Sequence, residues 1–438
     1  MESLMEEIEL DVQKVVNGGA GLAYHDGSTV FVPFTAPGER VLVGIEARRK
    51  GHLQARLLKV IKPGIDRVEP RCPVYSQCGG CALSHLSPEC QAQLKQEFVA
   101  NTLYRLGRVE PQGVLQPFFA ADNPWGYRRR AGFKVSWAGN RALVGFYSQN
   151  SHHVVDLPGC PVLRPELEAL IAPLRHLIPA LTVRKRLLQV DVASGENGVG
   201  VVFHLMDPLR APDRHRLIEF AKKLGLASLI VQQGSRSSQK VVWRTQELFY
   251  SVDGGQLTFR PGEFIQANLE QNNHLVRLAM EEAKTGSVAW DLFAGIGNFS
   301  LPLAKRYAHV VGVELDGPSL NRARVNSHTN NRENVKFVPA NLINPLEWPK
   351  QLIHPPELIL MDPPRDGALA LSRGLANGEI PRSERLLYIS CDPATFARDA
   401  GILVQGGYFL SKVTAIDLFP QTHHVELVAT FHQVPHHT

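Results

Sequence analysis

Val288-Ala289-Trp290-Asp291-Leu292-Phe293-Ala294-Gly295-Ile296-Gly297-Asn298-Phe299 carries an apolar strand into a glycine turn and on toward a helix. That order lets a backbone approach a flat cofactor at the carboxyl end of a parallel strand. A dinucleotide fingerprint would place a third glycine where Ser300 stands, so a nicotinamide cofactor is disfavoured. From about Pro261 onward, apolar runs alternate with helical patterns, which predicts an α/β fold with a doubly wound sheet. Its strands are expected at 288–292, 309–314, 335–338, 357–361, 386–390, 409–417 and 424–431.

The ligand crevice of such a sheet lies outside the carboxyl ends of its strands, and these ends carry suitable groups in order. Glu314 closes Val310-Val311-Gly312-Val313-Glu314, where a carboxylate can accept both hydroxyls of a ribose. Asn341 follows the third strand, where an amide can meet an adenine edge, and Asp362-Pro363-Pro364-Arg365 follows the fourth. Together they point to S-adenosylmethionine. Asp-Pro-Pro alone also suits methylation of exocyclic amines, but that chemistry needs no nucleophile and favours an aromatic residue where Arg365 stands.

The fifth strand, Leu386-Leu387-Tyr388-Ile389, ends at Ser390-Cys391-Asp392-Pro393, which aims a thiol at the crevice. A lone cysteine is more often a packed core residue. Here it closes a series of functional strand ends, and a thiolate adds readily to an electron-poor carbon such as C6 of a pyrimidine. Addition there turns C5 into a nucleophile for a methyl group. A base must then remove the C5 proton so that the cysteine can leave. Glu426, in His423-His424-Val425-Glu426-Leu427-Val428, sits among apolar residues whose desolvation raises a carboxyl pKa toward a useful range.

Cys72, Cys78 and Cys81 lie within ten residues, and Cys160 follows far downstream in Pro158-Gly159-Cys160-Pro161. Four thiolates suit either tetrahedral zinc or an iron–sulfur cluster. The five-then-two spacing of the first three is not that of a zinc ribbon. Cys90 has no partner in this scheme and is expected to be packed. Residues 8–61 read as short strands between glycine turns, a small OB-like β-barrel. Its last hairpin, 46–62, sets Arg48, Arg49, Lys50, Arg56, Lys59 and Lys62 against Glu46 alone, a one-signed surface suited to nucleic acid. Around Trp125–Trp137 a strand period puts Arg128, Arg130 and Lys134 on one face and Tyr127, Phe133, Val135 and Trp137 on the other.

A length of 438 residues allows two or three domains, and Lys plus Arg exceed Asp plus Glu by only five (47 against 42). No stretch approaches the roughly 20 apolar residues of a membrane span. The acidic start lacks a signal-peptide core, and a cytoplasmic chain with six cysteines favours metal-binding or catalytic roles over disulfides.

These residues resemble the S-adenosylmethionine-dependent RNA (uracil-5)-methyltransferases, in particular their bacterial 23S ribosomal RNA branch, over nearly the whole chain. The resemblance implies three domains: a TRAM barrel over 1–62, a central RNA-binding α+β domain over 63–260, and a Rossmann-like methyltransferase domain over 261–438. It implies Cys391 as nucleophile and Glu426 as base. Around the cofactor it implies Gln266, in Phe264-Ile265-Gln266-Ala267-Asn268, with Phe293, Asn298, Glu314, Asn341 and Asp362. Cys72, Cys78, Cys81 and Cys160 become ligands of a [4Fe–4S] cluster. The implied substrate is uridine 1939 of 23S ribosomal RNA, with uridine 747 or transfer RNA as alternatives. A monomer without a membrane or an obligate protein partner is expected. A cytosine-5 methyltransferase would need Pro-Cys and Thr-Cys dipeptides, and neither occurs. A non-catalytic RNA-binding assembly factor would not need Cys391 and Glu426.

Overall fold

The computed structural model describes residues 6–234, 238–343 and 355–434. Six strands form the N-terminal sheet: β1 (Glu7–Asp11), β2 (Lys14–Val15), β3 (Ala20–His25), β4 (Ser28–Pro33), β5 (Arg40–Arg49) and β6 (His52–Lys62), in the order β1-β5-β6-β4-β3-β2. Alternate side chains such as Leu10, Val30, Val32, Val41 and Val43 turn inward to a small apolar core. A second core fastens this unit to the next stretch of chain, because Val15 and Ala36 pack with Leu83, Leu86, Leu94 and Phe98. The last three lie on or beside the helix Pro88–Thr102. Buried Glu39 adds a polar anchor, receiving the Arg67 guanidinium and the Ala36 N–H.

The middle of the chain is a seven-stranded sheet: β7 (Arg130–Ala138), β8 (Arg141–Tyr147), β9 (Val154–Asp156), β10 (Leu187–Gly195), β11 (Gly198–Leu205), β12 (Ser228–Gln233) and β13 (Lys240–Arg244). Their order is β13-β12-β11-β10-β7-β8-β9. Phe133 is fully buried, and Val135 and Trp137 pack on the same core, while Arg128, Arg130 and Lys134 stay half-exposed. The two faces of this strand follow the period of two read from its sequence. A hairpin of β14 (Leu248–Val252) and β15 (Gly255–Phe259) leads onward.

The C-terminal sheet holds β16 (Gly286–Leu292), β17 (Tyr307–Glu314), β18 (Val335–Pro339), β19 (Leu358–Met361), β20 (Arg385–Ser390), β21 (Tyr408–Ile416) and β22 (Glu426–Gln433). They run in the order β18-β17-β16-β19-β20-β22-β21, parallel except for β22, which pairs antiparallel with both neighbours. Each expected strand is present. The last begins two residues later, because 417–425 fold into a loop with its own contacts. Apolar side chains of Ile359, Leu386, Leu387 and Ile389 are fully buried, as both faces of a parallel sheet require. No helix among the described residues is long and apolar enough to cross a membrane.

Candidate active site

The first turn after β16 is strained as well as tight. Phe293 has φ +68°, and Gly295 and Gly297 follow at +55° and +98°. A bulky residue in the left-handed region persists only where its surroundings over-determine it, and such residues gather at functional sites. Glu314, at the end of the adjacent β17, accepts the Gly295 N–H at 2.9 Å through Oε2 and the Asp316 N–H at 2.7 Å through Oε1. Asn341 caps its own turn by accepting the Ile343 N–H at 3.1 Å.

Asp291, beneath this turn, is completely buried. Its Oδ2 accepts the Ser300 hydroxyl at 2.5 Å, while Oδ1 is buried without a partner. Burial, then the nearby Asp362 and Glu314 carboxylates, pushes its pKa up to about 7. Asp362 is likewise pushed up to about 7 by burial. Three carboxyl groups converging on one crevice, one with an orphaned oxygen, fit a ligand that offers hydroxyl and ammonium donors and positive charge. S-adenosylmethionine is such a ligand. Sequence reasoning singled out Glu314 and Asp362 but passed over Asp291. The signal was present, since Asp291 and Ser300 flank the same glycine turn.

Asn298 lies at the turn. Its amide exchanges two 3.0 Å hydrogen bonds with Asn272 and accepts the Tyr250 hydroxyl at 3.2 Å. It fastens the turn to the helix Leu269–Ala283. Gln266 is half-buried in a segment that hydrogen-bonds across to the basic strand: Arg129 N–H donates to Ala267 O at 2.8 Å, and Arg128 bridges Asn268. That pairing brings the basic face beside the crevice. Arg129 itself is buried and donates to Ser194 O through Nε and Nη2 at 2.9 and 2.6 Å.

Cys391 follows β20, whose Ser390 pairs with Leu427. One step further in the same antiparallel register sets Cys391 opposite Glu426. Buried Glu426 is raised well above the usual carboxylate range by desolvation and by Asp362. The Cys391 thiol is pushed up to about 12, by burial first and then by Glu426 and Asp362, with Arg365 opposing. His424 is driven down to about 4 by burial, His423 and Arg365, which leaves it a poor proton acceptor at neutral pH. Cysteine, acid and a site for a cationic cofactor thus share one crevice. The arrangement can add a thiol to a flat ring from one side and take a proton from it.

The four remaining candidate cysteines meet on the central sheet. Gly79 N–H donates to Tyr147 O on β8 at 2.9 Å, Cys78 bridges Ser148, and Cys160 N–H donates to Glu168 Oε1 at 2.7 Å. Burial raises the pKa of all four thiols, and Cys81 is raised further by mutual repulsion with Cys160, Cys78 and Cys72. Their mutual repulsion places the four thiols around a common space. Among the described residues, the one group of three ligand atoms all within 4.8 Å is Asp122, Glu270 and His274. Cys90 lies apart, its thiol raised by burial and by Asp66.

The family model for tRNA (Uracil-5-)-methyltransferase matches residues 91–342 and 354–433 of the chain. The chain belongs to this family. A TRAM domain model matches residues 4–58. The chain is 38% identical over 435 residues to "23S rRNA (uracil(1939)-C(5))-methyltransferase RlmD" of Alkalilimnicola ehrlichii, covering 97% of this chain and 96% of the relative. It is 38% identical over 441 residues to the protein of the same name from Nitrosococcus oceani, covering 99% and 97%. Among solved structures it resembles the Pyrococcus abyssi tRNA (uracil-54, C5)-methyltransferase in complex with S-adenosyl-L-homocysteine. That match has a TM-score of 0.74 and 25% identity, and covers 96% of this chain and 99% of the other. As a member of the uracil-5-methyltransferase family, the chain is an S-adenosylmethionine-dependent RNA methyltransferase with an N-terminal TRAM domain.

Proposed function

We propose that this enzyme methylates C5 of uridine 1939 in 23S ribosomal RNA, with Cys391 as nucleophile and Glu426 as base. The observation that carries the chemistry is the β20–β22 register, which sets thiol and buried carboxyl opposite each other beside the Asp362 crevice. The relatives named for uracil 1939, matched end to end, support the substrate. Glu314, Asn341 and Asp362 would hold S-adenosylmethionine with Gln266, and the strained Phe293 turn would shape its seat. That cofactor supplies an electrophilic methyl group. The protein's share is to exclude water, aim the Cys391 sulfur at C6, and accept the C5 proton at a Glu426 oxygen. The test is to map 5-methyluridine in 23S ribosomal RNA from a deletion strain and after complementation. Loss and recovery at 1939 is the expected result.

Division into domains over 1–62, 63–260 and 261–438 is part of the same reading, with RNA held by the first two. Cys72, Cys78, Cys81 and Cys160 would carry a [4Fe–4S] cluster, supported by their burial and by the repulsion Cys81 feels from the other three thiols. Protein purified without oxygen should be brown and hold about four irons per chain. Stoichiometric zinc without iron would overturn this assignment.

The barrel hairpin carries part of the RNA affinity. Arg48 pairs with Glu6 and Arg56 with Glu46, which leaves Arg49, Lys50, Lys59 and Lys62 exposed and free to meet phosphate. Replacing these four by serine should lower the slope of log affinity against log salt by roughly 0.7 for each phosphate no longer neutralised. S-adenosylmethionine binding, measured calorimetrically, should not change. An unchanged slope would make the hairpin a bystander.

A further inference from the structure

The loop that delivers Glu426 takes its shape from outside the catalytic sheet. Asp417 donates its N–H to Phe119 O at 2.9 Å and accepts the fully buried Lys95 ammonium at 2.6 Å. Lys95 also reaches Phe419 O at 3.1 Å, and the Tyr127 hydroxyl donates to Pro420 O at 2.9 Å. Gln421 is the most constrained member. It is buried, with φ +71°, and its carbonyl accepts the Ala82 and Leu83 N–H groups at 3.1 and 3.0 Å. Its own N–H donates to Gln91 Oε1 at 3.0 Å, and its Oε1 accepts Gln91 Nε2 at 3.2 Å. Gln91 Nε2 also donates to Leu86 O at 2.9 Å, so this buried amide is fully occupied.

Ala82 directly follows Cys81, and a cavity of about 80 Å³ separates Cys78 and Cys81 from His423 and His424. The polar lock therefore spans from the cysteine arm to five residues before Glu426. A non-glycine residue holds a left-handed backbone only when its surroundings enforce it, and Gln91 supplies both side-chain bonds that do so. We propose that Gln91 is a positioning residue for Glu426: through Gln421 it fixes the loop that aims the carboxyl at the C5 proton. This rests on the reading of Glu426 as the eliminating base. Misplacing a proton acceptor by about 1 Å can cost up to about 100-fold in the step it serves. Thiol addition and methyl transfer use Cys391, on another strand, and should be spared.

The test is single turnover of the full-length enzyme on a 23S ribosomal RNA fragment with methyl-labelled S-adenosylmethionine. It follows labelled RNA that stays on the protein in denaturant. Gln91→Met should transfer the methyl group at near the parental rate but release product about 10- to 100-fold more slowly, so a methylated covalent adduct builds up. Gln421→Gly suits the left-handed backbone and so keeps the fold. It removes the amide contact and loosens the loop, and should show a smaller build-up of the same adduct. Glu426→Gln, run in parallel, separates the two readings. If it shows no adduct, the base assignment fails. If it accumulates adduct while Gln91→Met and Gln421→Gly release clean product at the parental rate, the positioning role alone fails. Equal loss of transfer and release in both lock variants would also overturn that role, because it would mark Gln91 as a plain structural residue.

Discussion

Cys391→Ala should abolish methyl transfer, by at least about 10⁴-fold, while binding of S-adenosylmethionine changes little. The cofactor candidates Glu314, Asn341 and Asp362 sit at the ends of β17, β18 and β19, whereas Cys391 ends β20 and faces Glu426. Removing one sulfur leaves the crevice and its carboxylates in place. None of the other five cysteines, all within residues 72–160, belongs to the strands that carry the crevice. The free enzyme offers a second readout of the same atom. With its pKa pushed up to about 12, the Cys391 thiol is neutral across the physiological range. Its alkylation by iodoacetamide should be slow and rise about tenfold per pH unit, because only the thiolate reacts. Fast, pH-independent alkylation at neutral pH would show that the thiolate already exists without RNA and cofactor. Substantial turnover by Cys391→Ala would remove covalent activation from the mechanism altogether.

The strand ends were legible because each follows from local pattern. An apolar run stopped by Asp392-Pro393, or by Pro363-Pro364, marks where a buried strand meets solvent. The β20–β22 register that pairs Cys391 with Glu426 is consistent with those ends but is not written in either segment. The resemblance named Asn298 beside the cofactor; its amide also bonds Asn272 and Tyr250, residues 26 and 48 positions away in sequence, and no local pattern announced those partners. The hairpin charge, read as six cations against Glu46 alone, is further neutralised by Glu6, which pairs with Arg48. Gln91 and Gln421, 330 residues apart, could not be linked by any period or motif. Periodicity tells which face a residue takes within its own element; it is silent on which distant element that face will meet.

Glu426→Gln should separate the two halves of the reaction. The substitution keeps size and the ability to hydrogen-bond but removes the oxygen that can accept a proton. Thiol addition at C6, with the sulfur's proton passing to water or to the uracil O4, and methyl transfer to C5 need no proton taken by this residue, so they should continue. Release of the cysteine requires loss of the C5 proton, and it should slow by about 10²- to 10⁴-fold, the usual worth of a general base. The visible product is a protein–RNA adduct, stable to denaturant, that carries one methyl group. The buried setting of Glu426 explains why this side chain suits the task. Burial and Asp362 raise its affinity for a proton well above that of an ordinary carboxylate, which makes it the stronger base. His424, the neighbouring candidate, has been driven the other way, to about 4, and binds a proton too weakly to take over. His424→Ala should therefore release product cleanly. An adduct that appears with His424→Ala and not with Glu426→Gln would exchange the two roles, and the depressed imidazole would then have to be restored by the bound RNA.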